Sequence, residues 1–256
     1  MDIVFVGAGR LATNLALALR QKGHRIVAVY SRTMASAVAL CDAVGGLPTD
    51  SIAALPEEAD AFILSVKDTV LTELISRLSE GRASQVFLHT AGSMPLSVFG
   101  SHRHGGVVYP MQTFSKERLV DFSRVPIFIE GSDALAETMA RDIARSVSHD
   151  VHRLSSEDRK HLHLAAVFAC NFSNHCYALA ARILEQHGLP FSVMLPLIDE
   201  TARKVDTMHP LDAQTGPAVR YDENVIEAQK RLLADQPLMR DIYDLMSKSI
   251  HQLAND

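Results

Sequence analysis

Residues 1–14 read MDIVFVGAGRLATN. Asp2–Val6 is a short apolar strand, and Gly7-Ala8-Gly9-Arg10-Leu11-Ala12 follows at once in the form G-x-G-x-x-A. Leu11–Arg20 carries a Leu/Ala-rich helical pattern, with Gly23 placed to stop it. Glycines in this pattern are a weak signal alone, but strand, turn and helix around them predict a dinucleotide-binding turn. Gly7 allows the tight turn, Gly9 lets a pyrophosphate approach the backbone, and Ala12 lets the helix pack closely on the strand. Gly7, Ala8, Gly9, Arg10 and Leu11 are therefore expected to hold the phosphates, helped by the free N–H groups and positive dipole end of the helix.

Outward from this turn, Arg25–Tyr30 is a second strand, ending in Ser31-Arg32-Thr33. In an NAD site an acid near this position accepts from the ribose 2′-hydroxyl, whereas an Arg accommodates a 2′-phosphate. The first acid after the strand is Asp42. Ser31 and Thr33 can donate hydroxyl hydrogen bonds and Arg32 a forked pair, so NADP(H) is expected in preference to NAD(H). Ala61–Val66 (AFILSV) is a continuous apolar run, as suits a central parallel strand covered on both faces. Ser65, Val66 and Lys67 at its carboxyl end are expected to face the cofactor, with Asp68 capping the next helix.

Gln85–His89 is a further strand running into the small-residue turn Thr90-Ala91-Gly92-Ser93. His89, Thr90, Ala91 and Gly92 join the expected cofactor contacts; for His89 a buried structural hydrogen bond is the alternative. Gly106–Tyr109, Pro126–Glu130 and Asp150–Leu154 also read as extended, and Ser132 is placed to cap a helix through about Val147. This alternation predicts an α/β fold with a doubly wound, mostly parallel sheet over residues 1–154.

The pattern changes at Ser155. Ser155-Ser156-Glu157-Asp158 has the S-x-x-D form of a helix start, and no Pro or Gly interrupts the chain from there to His187. The resulting helix is apolar almost all round, which predicts burial against later helices or a second subunit. At 3.6 residues per turn, His163, Val167, Cys170 and Asn174 share one face, with Asn171 about 80° round from His163. His163 and Asn174 on an apolar stripe need partners: a ligand, or a satisfied buried network. Helices then follow over Phe191–Thr207, with a kink or restart at Pro196, and over Glu223–Ala234 and Leu238–Leu253. Residues 155–256 are thus expected to be an all-α domain that dimerises. A net charge of −5 without a basic run argues against nucleic acid and anionic membrane. No apolar run approaches the ~20 residues of a membrane span, and with a core strand at the very start no signal peptide is expected. Cys41, Cys170 and Cys176 have no metal-like spacing and read as reduced thiols of a cytoplasmic protein. His161 and His163 lie about 200° apart on a helix, so no metal is expected.

The stretches GAGRLATNLA, YSRT, ILSVKD, FLHTAGS, YPMQTF, HLAAVFACNFSNHCYALA, PLIDET and TGPAVR, spread over residues 7–220, resemble the Rossmann-like proteins of the 6-phosphogluconate dehydrogenase-like superfamily. The resemblance is greatest to the branch with a C-terminal helical domain of unknown function, of the 2520 type. In general plan the chain is also similar to pyrroline carboxylate reductase and ketopantoate reductase. The resemblance implies an N-terminal NAD(P)-binding Rossmann domain, a helical C-terminal domain forming a homodimer, and an active site between the nicotinamide and the long helix. It places His163, Asn171, Asn174 and Thr215 near the reacting centre, beside His89, Gln112 and Gly92. Related hydroxyacid dehydrogenases carry a Lys on this helix; here the nearest is Lys160, near its start, and His163 is further in. The expected function is an NADP-dependent oxidoreductase passing hydride between nicotinamide and a small carbonyl or imine substrate. His163 would be the proton donor, with Asn171 or Asn174 polarising the substrate. A non-catalytic NADP-binding sensor or scaffold is the alternative.

Overall fold

The computed structural model describes residues 1–255. Eight strands form one sheet: β1 (Asp2–Val6), β2 (Arg25–Tyr30), β3 (Leu47–Thr49), β4 (Ala61–Leu64), β5 (Phe87–His89), β6 (Gly105–Pro110), β7 (Ile127–Gly131) and β8 (Val151–Arg153). Their order is β3-β2-β1-β4-β5-β6-β7-β8. Every pairing is parallel except β6 with β7, so the last two strands run against the other six. β3 is a strand that the sequence reading had not placed.

Side-chain alternation explains why β1 from Ile3 to Val6, and all of β4, are apolar at every position. Ile3 and Phe5 with Ala61 and Ile63 enter one buried layer, under α1 (Arg10–Gln21), α2 (Met34–Val44) and α4 (Ala134–Val147). Val4 and Val6 with Phe62 and Leu64 enter the other, under α3 (Asp68–Ser79). Both faces are covered, as a parallel sheet requires. Strand order reverses at β1, with β2 on one side and β4 on the other, and the carboxyl ends of these strands form the crevice edge of such sheets.

Two caps differ from expectation. α4 is capped by Asp133, whose carboxylate accepts from the Ala136 amide, whereas Ser132 accepts from the Gly105 amide and donates to the Arg103 carbonyl. Asp68 is the first residue of α3 rather than its cap, and its carboxylate accepts from the Ser93 hydroxyl. Ser155 does cap α5 (Ser156–Ala166), accepting from the Asp158 amide at 3.1 Å.

The long helix is not uniform. α5 gives way to a π-helical segment, Val167–Phe172, before α6 (Ser173–Gln186). One compact unit comprises Met1–Asn171 and a second begins at Phe172, so α5 belongs to the sheet unit rather than starting a new body at residue 155. The second unit is all-helical among the described residues, with α6, α7 (Leu195–Lys204), α8 (Pro210–Ala213), α9 (Pro217–Arg220), α10 (Glu223–Leu232) and α11 (Pro237–Leu253). Pro196 is a restart, standing in the first turn of α7 where its missing N–H costs nothing. α10 and α11 are joined by Lys230–Asp244 and Tyr243–Gln229, and α11 meets α9 through His251 and the Val219 carbonyl. No helix among the described residues is long and apolar enough to cross a membrane.

Candidate functional site

At the carboxyl edge of the sheet the backbone is drawn together tightly. Gly7 has φ +115° and donates its N–H to the Tyr30 carbonyl at 2.8 Å. A Cβ on Gly7 would lie 2.1 Å from the Ser65 carbonyl oxygen, so only glycine lets the ends of β1 and β4 approach here. Gly9 is different. It is the residue before α1, its φ is −78°, and a Cβ there would meet nothing within 4 Å. That space lies beside the amides of the first turn of α1, which lack helical acceptors and favour an anion.

A cavity of about 930 Å³ opens along this edge. One stretch is lined by Gly7, Ala8, Gly9, Arg10 and Leu11, and by Ser31, Arg32 and Thr33 at the end of β2. Arg32 is exposed and has no ion-pair partner among the described residues. Ser65, Val66 and Lys67 line the cavity after β4, and Thr90, Ala91 and Gly92 after β5. Open space at Gly9, free amides, hydroxyls and an uncommitted guanidinium form a donor set that fits the phosphates of a dinucleotide.

His89 departs from the expected contacts. It is 0% exposed and does not line the cavity. Phe87 and His89 point to the same face of β5, so the imidazole enters the apolar layer and stacks on Phe99 with ring centroids 5.5 Å apart. Its Nδ1 accepts from the Ala91 amide at 3.2 Å, and Nε2 has no hydrogen-bond partner among the described residues. Burial, aided by the Arg159 charge, pushes its pKa down from 6.5 to about 3. His89 therefore supports the Thr90–Gly92 turn as a neutral ring from beneath.

His163 does line the cavity, together with Gln112 and Pro110. Its Nδ1 stands 3.0 Å from the Tyr109 hydroxyl, with the two rings edge to face. A Cβ on Gly92 would lie 2.6 Å from the same Nδ1 and 2.8 Å from Tyr109 Cζ, so the turn after β5 rests directly on this pair. Burial raises the Tyr109 phenol above its usual 10.0, with the Arg159 charge pulling the other way. Gln112 uses Oε1 to accept from the Thr113 amide at 2.8 Å.

One buried ion pair fixes where α5 begins. Arg159, 1% exposed, donates to Glu130 of β7 at 2.6 Å and to the Met94 carbonyl at 2.7 Å. Glu130 also accepts from the amide and hydroxyl of Ser156, and that hydroxyl accepts from the Leu96 amide. His163 lies one helical turn beyond Arg159.

The sequence reading missed Tyr109, Ser36, Asp68, Arg77 and Ser93 among the lining residues. Tyr109 was visible as a polar side chain near the carboxyl end of a strand, the position that marked Ser65 and Thr90. Asn171, Asn174 and Thr215 are exposed; of the three only Asn171 belongs to the unit that holds the cavity, and it is not among the lining residues. The six residues of π-helix at Val167–Phe172 turn the chain by less per residue than the assumed 3.6 period, so the angles expected between His163 and the two asparagines do not hold. Among the described residues, no group of His, Cys, Asp and Glu could hold a metal ion.

Comparison with known proteins agrees with this architecture. A family model described as NADP oxidoreductase, coenzyme F420-dependent, matches residues 2–91, and one described as domain of unknown function (DUF2520) matches residues 125–250. No curated protein matches the chain. Among solved structures, a Bacteroides fragilis protein assigned as an NADP oxidoreductase is 53% identical, with a TM-score of 0.94 over 98% of each chain. Protein TM1727 from Thermotoga maritima is 24% identical, with a TM-score of 0.82 over 99% of this chain and 100% of that one. An imine reductase from Myxococcus stipitatus in complex with NADP+ is 16% identical, with a TM-score of 0.71 over 100% of this chain and 94% of that one; it shares the fold. With 53% identity along nearly all of both chains, this protein belongs to the family of that Bacteroides protein, in which the oxidoreductase match covers the first strands of a Rossmann-type sheet and the match of unknown function runs from its last two strands into the C-terminal helices.

Proposed function

We propose that the protein is an NADP-dependent reductase of small carbonyl or imine compounds, with NADP(H) preferred over NAD(H). One observation carries this reading: a single cavity is lined both by Ser31, Arg32 and Thr33 and by the Tyr109–His163 pair. The first group suits a 2′-phosphate, because no carboxylate stands at the end of β2 and Arg32 is uncommitted. Gly9 and the amides of α1 hold the pyrophosphate, and Ser65, Val66 and Lys67 line the path between. Thr90, Ala91 and Gly92 would hold the nicotinamide ribose. When bound, the reduced nicotinamide supplies a hydride to the substrate carbon.

His163 holds the proton that neutralises the developing oxygen or nitrogen anion, and Gln112 hydrogen-bonds the substrate. Imidazole suits the first task because one ring nitrogen can donate a hydrogen while the other accepts one. Asn171 receives no role, since it does not line the cavity. The protein acts as a homodimer through its C-terminal helices, supported by their exposed apolar side chains. We place it in the cytoplasm, in keeping with three free cysteines.

The test follows NADPH absorbance while purified protein is mixed with a panel of small ketones and cyclic imines. Substrate-dependent NADPH oxidation, lowered at least tenfold by His163→Ala, is expected. Tight NADPH binding with no oxidation across the panel would favour the sensor alternative.

A further inference from the structure

We propose that Tyr109 is the proton source behind His163, a phenol that fixes the imidazole as its Nε2–H tautomer and refills it when that proton leaves. The proposal rests on the reductase reading for its catalytic meaning, but its structural half stands on geometry. The Tyr109 hydroxyl has one hydrogen-bond partner among the described residues, His163 Nδ1 at 3.0 Å, and the ring is 8% exposed. A buried hydroxyl hydrogen left without an acceptor is costly. The proposal assigns the phenol hydrogen to Nδ1, and a neutral imidazole that accepts at Nδ1 must carry its hydrogen at Nε2. Nε2 has no hydrogen-bond partner among the described residues, and the ring lines the cavity. The surroundings of the pair are set by packing: the Gly92 backbone lies so close to both rings that a Cβ there would strike His163 Nδ1 and Tyr109 Cζ, and the Arg159–Glu130 anchor fixes the turn of α5 that precedes His163.

The proton balance follows from this arrangement. As the substrate carbon accepts hydride from the reduced nicotinamide, the anion formed on its oxygen or nitrogen takes the hydrogen from His163 Nε2. The Tyr109 O–H bond breaks and an Nδ1–H bond forms, so the imidazole stays neutral in its other tautomer. Tyr109 is left as a phenolate; after product leaves, water entering the cavity protonates Nε2, the Nδ1 hydrogen returns to the phenolate oxygen, and hydroxide departs to solvent, which restores the starting tautomer. Two electrons leave the nicotinamide with the hydride and reduce the substrate; the pair contributes one proton and no electrons. Arg159 acts here as a positioning residue, and its buried positive charge favours the transient phenolate. That charge opposes the effect of burial on the phenol.

Nitrogen-15 NMR of the histidine rings in the cofactor-free protein tests the tautomer directly, with His163 identified by the signals lost in His163→Gln. At mildly alkaline pH, wild-type His163 is expected to show a protonated Nε2 and an accepting Nδ1. Tyr109→Phe, which keeps the ring and its packing, should give mixed tautomers. A protonated Nδ1 in wild type, or unchanged signals in Tyr109→Phe, would overturn the proposal whatever the enzyme reduces. Arg159→Met should move the Tyr109 phenol titration upward, with Arg159→Lys restoring much of it; no movement would remove Arg159 from the role. On any substrate that wild type turns over, Tyr109→Phe should lower kcat at least tenfold with KM for NADPH within about twofold, and an unchanged kcat sinks the relay. The expected tautomer in a protein that reduces nothing would instead count against the reductase reading alone.

Discussion

An acid at the end of β2 would repel a 2′-phosphate, and the chain places Ser31, Arg32 and Thr33 there. Because Arg32 is exposed and unpaired among the described residues, its removal should leave the fold alone and act on the ligand. A charge-assisted hydrogen bond contributes about 1.5–3 kcal/mol. Arg32→Ala should therefore weaken NADPH binding by about ten- to a hundredfold while NADH changes little, as read by fluorescence titration of both; equal loss for the two would refute the 2′-phosphate role. His89 gives a second test at this scale, on stability rather than binding. Its folded pKa is about 3 against 6.5 for the free side chain, with burial the main cause and the Arg159 charge the next. Below about pH 6.5 the unfolded chain takes up a proton that the folded one refuses. The stability that His89 contributes is thus present above 6.5 and lost as pH falls towards 3, by up to about 1.4 kcal/mol per pH unit. Urea unfolding between neutral pH and about pH 4 should show this fall, and His89→Leu should flatten it. That variant loses some stability throughout, because the Ala91 amide loses its acceptor. An identical pH slope in wild type and variant would show that other groups cause the loss.

Two glycines of the same turn separate the needs of the fold from those of the ligand. In Gly7→Ala the new methyl would sit 2.1 Å from the Ser65 carbonyl oxygen at φ +115°, so β1 and β4 must part. Backbone strain of about 1–3 kcal/mol, with overpacking on top, should lower the melting temperature by several degrees. In Gly9→Ala the methyl meets no protein atom within 4 Å. Its melting temperature should match wild type while NADPH binding falls at least tenfold; a destabilised Gly9→Ala would contradict an open space there. This turn was legible in the sequence because its determinants are local: an apolar strand, two glycines at fixed spacing, and a helix start. The strand ends at Ser31, Ser65 and Thr90 were legible for the same reason. Features that depend on contacts distant in sequence were not. Glu130 and Arg159 are read as ordinary charged residues until β7 and α5 come together. The π-helical segment at Val167–Phe172 is announced by no Pro or Gly, so a regular period carried forward from His163 does not hold past Val167. His89 could have been read more closely, since strand parity already set it on the face of Phe87.

On the scale of the whole molecule, the long helix was expected to be buried on every side, yet in the single chain much of it is exposed. Leu164 of α5 is 55% exposed and Ile183 of α6 38%. In the second unit Leu197 is 62% exposed and Leu245 66%, with Leu195, Leu211, Met246 and Leu253 also bare. Single exposed leucines are ordinary on a protein surface, but a helical unit with this many is short of cover. A sequence pattern records that a residue is to be buried without recording which chain buries it. A second copy is the simplest cover, because it brings the same apolar helices in equal number. Sedimentation equilibrium at micromolar concentration should therefore give twice the chain mass. Leu197→Glu with Leu245→Glu provides the sharper test. Both positions are exposed in the single chain, so the new carboxylates remain in water and helicity by circular dichroism should not change. In a dimer that covers them, two charges per chain would lose their hydration without partners, a cost large enough to dissociate it. The double variant should sediment as a folded monomer. A wild-type monomer would refute the dimer, and a variant that stays dimeric would move the interface away from α7 and α11.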